Sequence, residues 1–186
     1  LIYLYSYFSF FYTSLKSDYS ELQKMGYPKT SHLDWRIKRI QDRINIFEDT
    51  LLEKFSGYHF FYFLLSQYDK ENRLILGSAW ENDLSLLSAD LKDKLVLIVP
   101  HDLKTSFGQN ENYYHLNNHM SGEDWQNFLL LFKENPRPIV LNISGILCEL
   151  YSLCSHAYVG GGFGKSVHSL FEPFFSGCHV YCGPHV

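Results

Sequence analysis

The sequence predicts an α/β fold, a parallel sheet with helices on both faces, and three observations carry that expectation. Short β-favouring runs alternate with amphipathic helical segments through most of the chain. A run of three glycines follows one of those strands directly. The composition, 46% hydrophobic and 19% charged over 186 residues, supplies a core large enough to cover a sheet. With 16 Lys+Arg against 20 Asp+Glu, a formal net charge of −4 excludes both a disordered tail and a polybasic nucleic-acid binder.

Taken in order, the opening Leu1–Leu15 is aromatic and apolar but lacks a basic leader and a small-residue cleavage site. Its apolar part is too short to span a bilayer, and it reads as a core or interfacial helix, with a membrane-surface role as the alternative. Ser20–Lys24 reads as a short helix ended by Gly26 and Pro28. From Asp34, apolar residues at Ile37, Ile40, Ile44, Phe47 and Leu51 predict one amphipathic helix. Its basic residues, Arg36, Lys38, Arg39 and Arg43, form either a solvated face or a flank that meets phosphates. His59–Leu65 is apolar and fits strand or helix.

Beyond it, the expected elements are a strand at Arg73–Leu76 with a Gly77-Ser78 turn, a helix over Glu81–Leu87 and a strand at Lys94–Val99. A polar, Asn-rich loop follows. Ser121 with Asp124 makes a capping box for a helix over Trp125–Phe132, and Pro136 and Pro138 precede a strand at Ile139–Leu141. A helix over Ile146–Cys154, a strand at Ala157–Val159, a helix near His168–Phe175 and a strand at His179–Tyr181 complete the pattern. There is no internal repeat. Cys148, Cys154, Cys178 and Cys182 show no CxxC spacing and read as buried free thiols of a reducing compartment.

In open α/β sheets ligands bind beyond the carboxyl ends of the strands. The residues there are Gly77-Ser78, Pro100-His101-Asp102, Asn142–Gly145 and Gly160–Ser166. Consecutive glycines let backbone amides approach a ligand, and a following helix offers its N-terminus to an anion, so a phosphate-bearing ligand is expected. Gly164-Lys165-Ser166 does not complete a nucleotide-triphosphate P-loop, because Val159 stands where that motif needs glycine. His115 and His119 stand four apart, but no carboxylate motif accompanies them, and no metal site is expected.

The closing run AYVGGGFGKSVHSLFEPFFSGCHVYCGPHV resembles the sugar-nucleotide site of the bacterial 3-deoxy-D-manno-octulosonic acid (Kdo) transferases, a glycine-rich loop, then His-Asn-x-x-Glu, then Phe-Gly-Pro. Here the matching residues are His168, Glu172, Gly177 and Gly183-Pro184. Further likenesses occur in family order: Asp34-x-Arg36-x-x-Arg39, Gly77-Ser78-Ala79-Trp80, Val99-Pro100-His101-Asp102, and Gly145-x-Leu147-x-x-Leu150-Tyr151. Their order over most of the chain is more specific than any one of them.

The resemblance implies a Rossmann-like C-terminal half of a GT-B glycosyltransferase, with residues 1–33 ending the acceptor domain and linker. Residues 34–186 would be the nucleotide-sugar domain, truncated at its end. The implied donor is CMP-Kdo and the implied acceptor the lipid A precursor, at the cytoplasmic face of a bacterial inner membrane. The membrane would be reached through the N-terminal half, with no metal, no other cofactor and no nucleic acid. Ser78, Pro100, His101, Gly145, Gly161, Gly162, Gly164, Lys165, His168, Ser169 and Glu172 are the implied donor-binding residues. Glu172 would accept the ribose hydroxyls, Lys165 and His168 would face the phosphate, Pro100-His101 would border the base, and Gly145 would permit a close helix approach. Trp80 is expected to pack the turn. No catalytic base is assigned, since the family carries it in the other half.

Two departures stand against full activity. Ser169 replaces the usual Asn, and Asn142-Ile143-Ser144 replaces an Asp-Asn turn. They keep open a non-catalytic Rossmann-like module and a GT-B enzyme for another nucleotide sugar.

Overall fold

The computed structural model describes residues 11–13, 20, 24, 30–32, 34–86, 91, 93–103, 107, 112–162 and 167–184. The chain divides into two compact units, Leu1–Asp42 and Arg43–Val186.

In the first unit, β1 (Phe11–Thr13) pairs in parallel with β2 (Thr30–His32). The expected opening helix is therefore corrected at Phe11–Thr13: aromatic and β-branched side chains favour an extended backbone there. Ser20 and Lys24 are both helical, as their spacing predicts. The remainder of the opening segment, with Gly26 and Pro28, lies outside the described residues. Helix α1 (Asp34–Asn45) runs through the division between the units.

The second unit is built on a six-stranded, all-parallel sheet, a Rossmann-like α/β arrangement. Its strands are β3 (Arg73–Ala79), β4 (Leu95–Pro100), β5 (Tyr114–Leu116), β6 (Ile139–Leu141), β7 (His156–Val159) and β8 (His179–Cys182). They lie in the order β5-β6-β4-β3-β7-β8, with β3 and β4 at the centre. β4 is buried at all its positions, as the continuous apolar run Leu95–Pro100 requires of a strand covered on both faces.

The α-helices of this unit are α2 (Phe47–Lys54), α3 (Tyr58–Leu65), α4 (Gly122–Glu134), α5 (Leu147–Tyr151) and α6 (Phe171–Phe175). The first four, with Phe55 just after α2, send Leu51, Phe61, Trp125, Phe128, Leu150 and Tyr151 into one core with Ile75, Leu97, Val99 and Ile139 of the sheet. The other face of the sheet, through Leu74, Leu76, Val96, Ile98 and Tyr158, forms a smaller apolar cluster with Leu84 of a 3-10 helix (Glu81–Leu86) and with Leu91, Phe107 and Tyr113.

Several elements differ from their sequence expectation for identifiable reasons. The helix expected to run on from Asp34 breaks at Ile46, whose backbone leaves the helical region at φ −113°, ψ 21°. β3 does not turn at Gly77-Ser78: it continues to Ala79 through a bulge, with Ser78 at φ 51°. Glu81–Leu86 winds as a 3-10 helix, because the Asp83 carboxylate and amide both bond back to Trp80. β5 lies inside the loop read as polar and pairs only with β6. The His59–Leu65 run is helical, and the helix expected over Ile146–Cys154 shortens to Leu147–Tyr151.

The helix expected from His168 starts only at Phe171, and Pro173 explains why. Proline fits a first helical turn, where its missing N–H costs nothing, whereas an earlier start would set its ring against the Ser169 carbonyl. The Ser121/Asp124 capping box is present: Asp124 N–H donates to Ser121 Oγ at 3.2 Å and Ser121 N–H to Asp124 Oδ2 at 2.8 Å. The Ser121 N–H and the Ser121 hydroxyl, both donating to Asp124 Oδ2, hold the exposed Asp124 carboxyl below its usual range. All four cysteines are free thiols, three of them buried.

Candidate functional site

The carboxyl ends of β3, β4 and β7 converge on one edge of the sheet, and most sequence-predicted residues meet there. Ser78 sits in the bulge of β3, half-buried in a left-handed conformation that costs a non-glycine residue about 1–2 kcal/mol. Its neighbour Ala79 accepts a 2.9 Å hydrogen bond from the His101 amide, which joins the loop after β4 to the end of β3. Pro100 ends β4, opposite Ala79.

Three rings lie side by side along this edge, Trp80 stacked on His101 and His168 tilted against it. Trp80 lies 4.3 Å from His101, centroid to centroid, and His101 lies 4.4 Å from His168. Trp80 therefore does more than pack a turn: it backs the imidazole of His101. Burial, and then the neighbouring His101, hold His168 below the usual histidine range. In the free protein His168 therefore favours the neutral form, and an anion arriving beside it favours its protonation.

The glycine loop is held by a residue that sequence reasoning missed. Asp83, 1% exposed, accepts hydrogen bonds from Trp80 N–H at 2.8 Å, Tyr158 Oη at 3.0 Å and Gly161 N–H at 3.3 Å. Burial and the bond to Asp83 push the Tyr158 phenol well up. The Gly160 amide in turn donates to the Gly77 carbonyl at 2.8 Å. The first two loop amides are thus committed inside the protein, which corrects the expectation that they approach a ligand, Gly161 included.

Close packing is the reason glycine is needed here. A Cβ at Gly160 would collide with the Ser78 carbonyl, and one at Gly162 would fall 2.8 Å from the Cα of Gly183, which follows β8. Gly164 and Lys165 lie outside the described residues. His168 and Ser169 are exposed and precede α6 rather than opening it, so no helix N-terminus stands at His168.

Glu172, in the first turn of α6, is half-buried, and its Oε1 lies 3.9 Å from Nη1 of Arg43. Arg43 forks onto the buried carboxylate of Glu149 in α5, Nε to Oε1 at 2.8 Å and Nη2 to Oε2 at 2.7 Å. The hydrogen bond to Glu149 raises the Arg43 pKa further, so the guanidinium is permanently charged. Beside them, burial pushes the Cys148 thiol up to about 12. Nothing in the sequence marks Asp83, Arg43 or Glu149 for these roles, because each acts through a partner far along the chain.

The role expected of Gly145 needs correction. The space around it is open, so no close helix approach depends on it; its backbone sits at φ +77°, and that is what calls for glycine. His115 lies in β5 and His119 in the exposed turn after it, so helical spacing does not bring them to one face. Among the described residues no group of three or more His, Cys, Asp or Glu could hold a metal ion, and no helix is long and apolar enough to cross a membrane. A cavity of about 430 Å³ lies over the sheet face that carries Leu74, Leu76 and Tyr158, with Arg73 and His156 from the strand starts also in its lining.

No family model and no curated protein matches the sequence. Among solved structures, the chain is similar to the C-terminal CMP-Kdo binding domain of WaaA from Acinetobacter baumannii. Identity is 14% over 75% of this chain and 71% of that chain, with a TM-score of 0.48.

Proposed function

We propose that this chain is the donor-binding part of a GT-B glycosyltransferase that uses CMP-Kdo and transfers Kdo to a lipid A precursor. The observation that carries the reading is spatial. Residues quoted from separate motifs, Ser78, Trp80, His101, Gly160–Gly162, His168 and Gly183, lie together at one edge of a parallel sheet, where such folds take their ligands.

In this reading His168, beside the His101 ring, meets the donor phosphate and stabilises CMP as negative charge develops on it during displacement at the anomeric carbon, with inversion. Ser78 donates its hydroxyl to the phosphate or to the sugar carboxylate. Pro100 and His101 border the base, Lys165 adds a cation, and Glu172 accepts the ribose hydroxyls. Gly145, Gly164 and Ser169 belong to the same donor contacts. The donor needs no metal, and the reaction runs at the cytoplasmic face of a bacterial inner membrane.

Calorimetric titration of the chain with CMP, UDP and ATP, beside a Glu172→Ala variant, tests the proposal. Selective CMP binding that weakens at least tenfold in the variant supports it. Preference for UDP points to another nucleotide sugar, ATP selectivity to a nucleotide-triphosphate site, and absence of binding to a non-catalytic module; each of these overturns it.

A further inference from the structure

We infer that Arg43 is a positioning residue for Glu172, setting the carboxylate that reads the sugar of the nucleotide. The inference rests on the donor-site reading above and assigns that site a specificity determinant for ribose over deoxyribose.

The geometry divides the guanidinium into two working edges. Nε and Nη2 are engaged side-on with Glu149, whose side chain is 1% exposed and fixed on α5. This fork leaves Nη1 directed at Glu172 Oε1, 3.9 Å away on α6. A planar guanidinium pinned at two atoms has no freedom to reorient its third nitrogen, so Glu149 fixes Arg43 and Arg43 defines where positive potential meets Glu172.

That potential has a chemical consequence. To accept hydrogen bonds from two vicinal hydroxyls a carboxylate must be ionised and held in one plane, and a fixed cation at one of its oxygens favours both. α6 alone gives little rigidity: it has five residues, and its N-cap Leu170 offers no side-chain hydrogen bond. Lys at position 43 would keep the charge but not the two-atom pin.

Titrating the full chain with CMP and with 2′-deoxy-CMP tests this. The wild type is expected to favour CMP about tenfold, one charge-assisted hydrogen bond's worth. Glu172→Ala should bring the ratio to about one, as that bond is lost. If Glu172→Ala keeps the wild-type ratio, or the wild type fails to bind CMP, the ribose reading of Glu172 itself falls, and this inference with it.

With Glu172 established, Arg43→Lys should reduce the ratio to about threefold or less while 2′-deoxy-CMP affinity stays within about twofold of wild type, since only one oriented bond is weakened. Because Arg43→Ala would strand a buried carboxylate and could unfold the chain, the double variant Arg43→Met/Glu149→Leu replaces the pair by apolar groups. Its ratio should also fall towards one. An unchanged ratio in a folded double variant, or loss of both nucleotides in equal proportion, overturns the inference, since a purely structural role would not single out the 2′-hydroxyl.

Discussion

The two faces of the six-stranded sheet are built differently. One is covered by α2 to α5 and knit by aromatic packing: Phe60 stacks on Trp125 with 4° between their planes, and Phe55 and Phe128 lie at 5.7 and 5.9 Å from the same indole. The other carries a 3-10 helix and loop residues, with the cavity beneath Leu74, Leu76, Leu91, Tyr158 and Tyr181. The difference separates labour. Cohesion resides on the helical face, while the thin face supplies, through Tyr158 and Asp83, the bonds that hold the glycine loop at the strand ends.

The sharpest way to break this comparison is Trp125→Ala, which removes a side chain 1% exposed at the centre of the helical face. A loss of about 3–5 kcal/mol in urea unfolding is expected. Tyr158→Phe on the thin face should cost about 1–3 kcal/mol, because the buried Asp83 carboxylate loses a donor. This variant should also weaken CMP binding, an effect that Trp125 variants which remain folded should lack. Leu74→Ala, beside a cavity already open, leaves little new enclosed void and should cost about 1 kcal/mol. A cost equal to that of Trp125→Ala would erase the distinction between the faces. Ser78→Gly should raise stability by up to about 1 kcal/mol by relieving its left-handed backbone, yet lower CMP affinity by removing the hydroxyl.

Acidity sharpens the comparison further. Burial holds His115, His156 and His168 below the usual histidine value of 6.5. Between the folded and unfolded pKa values the unfolded chain binds more protons, so stability is full above about pH 6.5 and declines as the pH falls through that value. CMP binding should run the other way, strengthening as the pH falls from 8 to 6, because a phosphate beside His168 favours its protonation. Calorimetry at several pH values reads both slopes. An affinity independent of pH would remove His168 from the phosphate site.

What could be read in the sequence was local. The capping box at Ser121 and Asp124, the strand at Ile139–Leu141 and the alternation of strand and helix depend on neighbours within a few residues, and the structure has them. β5 depends instead on the neighbouring β6, and nothing within Tyr114–Leu116 announces it. Pro173 carried a legible signal, the proper start of α6, that helical spacing alone obscured. In the site, Ser78 and His101 were marked by their position after strands and His168 by the family resemblance, whereas Asp83 and the Arg43–Glu149 pair were not. Asp83 reaches a glycine 78 positions away and Arg43 a carboxylate 106 positions away, and such pairings exist only once the sheet has formed.

The glycines at the strand ends fall into two kinds with different mutational fates. Gly145 and Gly177 are set by backbone angle and face open space, so asparagine, which tolerates the left-handed region, should be accepted at both in a saturation library selected for folding. Gly160, Gly162 and Gly183 are set by one stretch of main chain lying against another, and no side chain is small enough to substitute. Gly162 and Gly183 face each other, so neither can be relieved by changing its partner, which already has nothing left to remove. Such a library would show this edge as a block of positions closed to stepwise drift, inside a protein whose surface loops remain free to vary.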